Sequence, residues 1–129
     1  MRIRGWSMVL ACVASFAAGA GVMRAQQQAQ NATRREPQFE NDQVTVWKSI
    51  VMPNSPLALH RHDHGRALIA LTGGELHVVD KDRKRLSTIK LKKGTALWLD
   101  ADPAGQEHAD VNDGKKPIEV IVVQLKKDR

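Results

Sequence analysis

Short runs of β-type residues, each ended by turn residues, fill the sequence from residue 44 onward. Alternating or apolar runs occupy residues 44–51, 67–71, 75–79, 86–91, 95–99 and 118–125. Clusters rich in Gly, Pro, Asn and Asp separate several of them, which is typical of strands joined by turns. No window of helical length beyond the N-terminal segment shows a 3.6-residue period. The pattern predicts an all-β sandwich or barrel.

Composition and size limit the fold further. The chain has 129 residues, with 42% hydrophobic and 26% charged residues, as expected for one globular domain. Its single Cys excludes an intramolecular disulfide framework and a CxxC metal site. The glycine patterns of dinucleotide-binding and P-loop folds are absent from the sequence.

The N-terminus has the layout of a signal peptide. Arg2 and Arg4 precede an uncharged stretch that ends before Arg24, and its apolar centre, residues 8–17, is short for a membrane span. We predict that residues 1–25 are a signal peptide and that the mature protein is periplasmic or secreted. The alternative is an uncleaved inner-membrane anchor with the domain facing the periplasm. We expect no other membrane association.

Residues 26–38 are polar, contain Pro37 and lack apolar periodicity, so they predict a short disordered arm. The folded domain is then residues 39–129. A core of this size is marginal by itself, and we expect a homodimer. Apolar surface near Trp47 and residues 118–125 is the predicted interface.

A histidine cluster offers the clearest chemistry. His60, His62 and His64 are spaced so that an extended strand would point all three to one face, and His108 follows later in the chain. Imidazoles from two neighbouring strands suit a transition-metal site with open positions for water or substrate. The same residues also fit an exposed polar strand end, so the pattern alone leaves both interpretations open.

Two longer patterns resemble the cupin superfamily. The first resembles its opening motif and runs Asn54, five residues, His60-x-His62, three residues, Arg66, six residues, Gly73. The second resembles its closing motif and runs Gly94, eight residues, Pro103-x-Gly105, two residues, His108, three residues, Asn112. Asn54 replaces a motif glycine, a mild change because Asn tolerates the left-handed backbone region.

The resemblance implies a double-stranded β-helix, or jelly-roll, barrel with its site inside the mouth. It also implies that His60, His62 and His108 bind a divalent transition metal, with Fe, Zn, Ni and Mn all compatible. In the family a Glu stands at position 66, where this chain has Arg66. Thiol dioxygenases and a diketone-cleaving dioxygenase are cupins that use three His without that Glu.

Arg66 and His64 are the predicted substrate-binding residues. Arg66 suits a carboxylate or enolate beside the metal. It could instead turn outward to Asp63, or fill the pocket against an acidic residue and exclude metal. His64 has three possible roles, as a substitute fourth ligand, an acid/base group or a rim residue. We expect Asp110 either to orient a ligand imidazole or to lie at a solvated rim.

The remaining charged residues give no sign of nucleic-acid binding. We predict that the basic residues 81–93 form a solvated hairpin, because no aromatic residues are interleaved among them. We expect His77 to be a partly buried packing residue and not a ligand. Removing residues 1–25 takes away three arginines and no acid, so the formal charge falls from +6 to +3. The sequence therefore predicts an exported metal-binding cupin that acts on a small anionic substrate, with dioxygenase-like chemistry. The alternative is a non-catalytic cupin that binds a small anion or metal.

Overall fold

The computed structural model describes residues 19–28 and 31–128. The chain divides into two compact units, with the boundary between Ala32 and Thr33. In the first unit, residues 19–28 are helical. Within the described residues, no helix has the length and hydropathy needed to cross a membrane. Residues 1–18, most of the predicted signal peptide or anchor, lie outside the described residues.

The second unit consists of eight β-strands. They are β1 Arg34–Glu40, β2 Val44–Val51, β3 Arg66–Ala70, β4 Gly74–Val79, β5 Arg85–Leu91, β6 Ala96–Leu99, β7 Ala109–Val111 and β8 Ile118–Leu125. One sheet has the order β1-β2-β8-β3-β6, the other has the order β5-β4-β7, and every strand pair is antiparallel. This is the predicted double-stranded β-helix barrel.

The core lies between the two sheets because alternate residues of each strand point inward. Burial in β8 alternates in this way, and Ile118, Val120 and Val122 are all buried. They pack with Trp47 and Leu68 of the same sheet, and the buried cluster also includes side chains of the other sheet.

The predicted arm at residues 26–38 is wrong at both ends. Residues 26–28 belong to the helix, and β1 begins at Arg34 and pairs with β2. Pro37 fits because β1 is an edge strand, where a missing N–H breaks no pairing on the open side. The register shifts between Pro37 and Phe39, which marks a bulge or irregularity. β1 looks disordered in sequence because its side chains are mostly exposed.

The fold restricts the predicted dimer interface. β8 lies between β2 and β3, so residues 118–125 have no free edge, and Trp47 is buried in the core. The large apolar side chains that do face solvent include Phe39 on β1, 60% exposed, and Trp98 on β6, 53% exposed. Dimerisation itself stays a prediction.

Candidate metal centre

A short antiparallel bridge joins the two histidine motifs. The His60 N–H donates to the His108 carbonyl over 2.9 Å, and the His108 N–H donates to the His60 carbonyl over 2.8 Å. The motifs are held together at a second point, where the Asn54 N–H donates to the Asn112 carbonyl over 2.8 Å. Asn54 has φ +54°, so it adopts the left-handed conformation that its replacement of a motif glycine predicted.

The predicted ligands His60, His62 and His108 form one cluster. Each can offer a ring nitrogen, and these nitrogens lie within 4.8 Å of one another. The His60 ring meets the other two rings edge-on, with centroids 4.9 Å from His62 and 4.5 Å from His108. His62 and His108 are buried and His60 is half-buried. The sequence therefore identified a real three-imidazole cluster.

The Nδ1 atom of each imidazole already has a partner. His60 Nδ1 lies 2.7 Å from the Ala58 carbonyl, and His62 Nδ1 lies 2.5 Å from Gln124 Oε1. His108 Nδ1 lies 3.2 Å from Asp102 Oδ2. When oxygen acceptors take the Nδ1 protons, the Nε2 atoms become the free lone-pair donors.

His60 Nε2 is the clearest sign that this arrangement suits a metal ion. It is buried and has no hydrogen-bond partner among the described residues. A buried polar atom without a partner is rare in folded proteins, and a bound ion is one way to satisfy such an atom. The three rings together fit the neutral nitrogen ligand set of zinc, iron, nickel or manganese.

Burial also keeps two of the imidazoles neutral. It lowers the pKa of His60, and it lowers the pKa of His62 from 6.5 to about 4. Nearby cations, Arg66 for His62 and Arg35 for His60, lower these pKa values further, whereas Asp102 and Asp110 act in the opposite direction. At neutral pH both rings are therefore in the unprotonated form that a metal requires.

Asp102 connects the parts of the cluster. Its Oδ2 accepts the His62 N–H over 2.6 Å and lies 3.2 Å from His108 Nδ1. Its own N–H donates to the His62 carbonyl over 2.8 Å. One carboxylate thus fixes the backbone of one predicted ligand and the ring of another.

Arg66 points into the barrel, beside this carboxylate. It is buried, its Nη1 donates to the Asp100 carbonyl over 3.1 Å, and its Nη2 lies 3.9 Å from Asp102 Oδ1. Burial lowers the pKa of Arg66, and the charges of Asp102 and Asp110 partly offset that effect. The outward alternative is wrong, because Asp63 pairs with Arg61 at 2.6 Å instead.

His64 leaves the cluster. The chain bends at Asp63 and His64, so the three histidines of the first motif do not share one extended face. The His64 ring turns to Asp128, with 3.1 Å between Nδ1 and Oδ2. The bend separates His64 from the His60–His62 pair, and its role in substrate binding stays a prediction.

The sequence did not predict Gln124 and Arg35 near the cluster, and it left the role of Asp110 open. Asp110 is half-buried, and its oxygens lie 3.7 Å from His60 Nε2 and 4.0 Å from His108 Nε2. Its two-residue spacing from His108 was the available signal. Gln124 and Arg35 had no signal, because the first lies in a long apolar run and the second in the polar segment taken for an arm.

Two cavities adjoin the cluster. An inner cavity of ≈ 30 Å³ is lined by Arg35, His62, Arg66 and Asp110 together with apolar core residues. An outer groove of ≈ 540 Å³ runs along β1 and β2 to His62 and Gln124. The inner space holds about one or two waters, whereas the groove has the volume of a small-molecule site.

Arg35 lies where the two cavities meet. It lines both of them, and its guanidinium lies 4.8 Å from the ring centroid of Trp47. His77, by contrast, lies outside the cluster and is buried between Thr88 and Asp113.

Solved structures with the same fold come from distant bacteria and an archaeon. A cupin domain from Bordetella pertussis Tohama I has 20% identity and a TM-score of 0.63, over 74% of this chain and 95% of that chain. A double-stranded β-helix protein from Klebsiella pneumoniae has 21% identity and a TM-score of 0.54, over 73% and 76%. An RmlC-like cupin from Methanocaldococcus jannaschii has 15% identity and a TM-score of 0.55, over 74% and 81%.

No protein-family model matches the sequence, and no curated protein matches it. The structural likeness establishes the fold, and residues of the two motifs meet at the histidine cluster. This chain therefore has the double-stranded β-helix fold of the cupin superfamily.

Proposed function

We propose that this protein is an exported, single-domain cupin that binds one divalent transition metal through Nε2 of His60, His62 and His108. The observation that carries this proposal is the pairing of each Nδ1 with an oxygen, while ring nitrogens of all three lie within 4.8 Å. The hydrogen bonds of His60 and His62, and the contact of His108 with the Asp102 carboxylate, orient the three rings, which is how ligating histidines are usually held. Export rests on the signal-peptide pattern of residues 1–25.

A metal held by these residues would supply Lewis acidity and open positions for a ligand. The chain's own residues orient the imidazoles and exclude bulk water from the inner cavity. The open groove beside His62 then gives a small molecule access to the centre. Oxygen-dependent cleavage of a bound anion is the activity that we propose for this arrangement.

Arg35 supports an anionic ligand. It borders both the groove and the inner cavity, and it stands above the apolar face of Trp47. A carboxylate or enolate in the groove could meet this guanidinium while approaching the metal. Arg66 adds a second positive charge at the inner cavity, although the Asp100 carbonyl and the Asp102 carboxylate already contact it.

The small inner cavity favours one alternative, a cupin that binds metal or a small anion without catalysis. A space of ≈ 30 Å³ holds water-sized molecules only, so a substrate has to react from the groove. Oxygen consumption by the iron-loaded protein with a panel of small carboxylic acids separates the two functions. Turnover supports the enzyme, and tight binding without turnover supports the alternative.

Metal content tests the central part of the proposal. The purified protein is reconstituted separately with Fe, Zn, Ni and Mn, desalted and analysed for bound metal. We expect about one ion per chain, and loss of that ion in His108→Ala, because imidazole ligands supply the affinity. His77→Ala is the matched control, since it removes a buried histidine outside the cluster.

Wild-type protein that retains none of the four metals would contradict the proposal. So would a His108→Ala variant that keeps its metal with unchanged affinity.

The anion site has its own test. Arg35→Gln should weaken the binding of small carboxylates to the metal-loaded protein by about tenfold, the loss expected for one charge-assisted contact. Arg85→Gln removes an exposed arginine of β5 and serves as the control. Isothermal titration with acetate, benzoate and a neutral amide measures both, and equal affinity of wild type and Arg35→Gln would exclude Arg35 as the contact.

A further inference from the structure

A carboxylate that the cupin motifs do not assign lies beside the cluster. We propose that Asp110 is the fourth protein ligand of the metal and takes the place of the glutamate expected at position 66. This assignment rests on the three-histidine site proposed above.

The distances around Asp110 suit a shared ion better than direct hydrogen bonds. Its Oδ2 lies 3.7 Å from His60 Nε2, and its Oδ1 lies 4.0 Å from His108 Nε2. Both separations exceed the normal hydrogen-bond range of ~2.7–3.2 Å. Two ligand atoms at ~2.0–2.1 Å from one tetrahedral ion lie about 3.4 Å apart, close to the observed spacing.

The Asp110 carboxylate and His60 Nε2 are both largely shielded from water. The Asp110 side chain is only 16% exposed, and it faces His60 Nε2, the buried nitrogen with no hydrogen-bond partner among the described residues. His60 Nε2 stays without a partner at this separation unless something lies between it and the carboxylate. A divalent cation there would satisfy the nitrogen, and the carboxylate would balance part of its charge.

The strand geometry explains why a carboxylate at this position can replace one at position 66. His108 lies directly before β7 and Asp110 lies within it, and residues two apart in an extended chain point to the same face. The position is held firmly, because β7 pairs with β4 and the Leu57 N–H donates to the Asp110 carbonyl over 3.2 Å. Arg66, the basic residue at the glutamate position, contacts Asp100 and Asp102 and lines the inner cavity with His62.

Asp110 has one rival role, as a counter-charge for the nearby arginines. Its charge acts favourably on both Arg35 and Arg66. Loss of that role would change the stability of the barrel, the position of the arginines and, through the lost negative charge, the metal affinity, but it would leave the set of coordinating atoms as it is. The cobalt spectrum of Asp110 variants therefore separates the two roles.

The experiment compares wild type with Asp110→Asn and Asp110→Glu. Asp113→Asn is the matched control, because Asp113 also lies beside a histidine nitrogen, 3.0 Å from His77 Nε2, but is 58% exposed. Cobalt(II) is titrated into each metal-free protein against a competing chelator, with the visible spectrum recorded throughout. Far-UV circular dichroism checks each fold.

We expect Asp110→Asn to bind cobalt at least about tenfold more weakly than wild type, since even residues that only support a ligand cost this much. Its cobalt spectrum should also change, because an oxygen donor is lost or exchanged. Asp110→Glu should recover part of the affinity, and Asp113→Asn should match wild type. If Asp110→Asn does not fold, Asp110→Ala gives the same comparison.

A wild-type protein that binds cobalt tightly, with an Asp110→Asn variant whose cobalt spectrum is identical, whatever its affinity, would overturn the fourth-ligand assignment and leave the three-histidine site intact. A wild-type protein that binds no cobalt would overturn both. The two failures are therefore distinguishable.

Discussion

His62 is the most constrained of the three clustered histidines. Its ring stacks parallel to Trp47 at 6.2 Å between centroids, Gln124 holds its Nδ1, and Asp102 holds its backbone. Burial of the ring disfavours the charged imidazolium form. The His62 ring therefore stays neutral, as a metal ligand must be, and resists protonation.

This burial predicts a pH-dependent loss of stability in the metal-free protein. The pKa of His62 falls from 6.5 to about 4 on folding, so below pH 6.5 the unfolded chain takes up a proton that the folded chain does not. The free energy of unfolding should therefore drop by roughly 3 kcal/mol between pH 7 and pH 4, with no further contribution below that.

Urea unfolding of wild type and His62→Gln, both with chelator, measures this effect. The Gln variant cannot titrate at position 62, so the stability difference between the two proteins should change by about 3 kcal/mol over this pH range. A difference that stays constant from pH 7 to pH 4 would show that burial does not hold the ring neutral.

At the scale of elements, β7 connects the two sheets around the site. Asn112 follows it directly and is 1% exposed. Its Nδ2 donates to the Val51 carbonyl of β2 over 2.9 Å and to the Lys116 carbonyl over 2.7 Å, and its Oδ1 accepts from the Gly114 N–H over 3.0 Å. One side chain thus ties the end of β7 to the opposite sheet and to the turn before β8.

We expect Asn112→Ala to lower the free energy of unfolding by about 3 kcal/mol, because it leaves buried backbone groups without partners. Asn41→Ala is the control, since Asn41 also bonds backbone N–H groups, of Gln43 and Val44, but at an exposed turn. Its cost should stay near 1 kcal/mol or less. Equal urea midpoints for the two variants would contradict this role of Asn112.

The strands differ in how well the sequence predicts them. Burial alternates along the first six residues of β8, whereas most of β2 from Val46 onward is buried. Both strands are rich in β-branched residues, which marks them in the sequence. β1 is polar and mostly exposed, and β7 has only three residues, too few to show a period. Both missed strands depend on pairing with neighbours, which local patterns do not report.

The residues of the candidate site also differ in how well the sequence predicts them. His60, His62 and His108 were predicted because a local spacing and two motifs mark them. The roles of Gln124 and Arg35 come from strands that meet the site through sheet pairing, so only the tertiary structure shows them. His64 was misplaced because the chain bends at residues 63 and 64, where the sequence suggested a continuous strand.

At the scale of the whole molecule, the size of the barrel still favours a homodimer. One core in a domain of this length is marginal, and Phe39 and Trp98 remain exposed on the described surface. Light scattering on the protein from Gln26 onward should report a dimer at micromolar concentration. A monomer at that concentration would contradict this prediction.

The central claim is that one metal binds where three histidine Nε2 atoms converge. A crystal structure of the zinc-reconstituted protein, with anomalous data collected on both sides of the zinc edge, tests it most directly. We predict a single peak about 2.0–2.1 Å from Nε2 of His60, His62 and His108. A peak at another residue pair, such as His64 and Asp128, or no peak in fully soaked crystals, would contradict this claim.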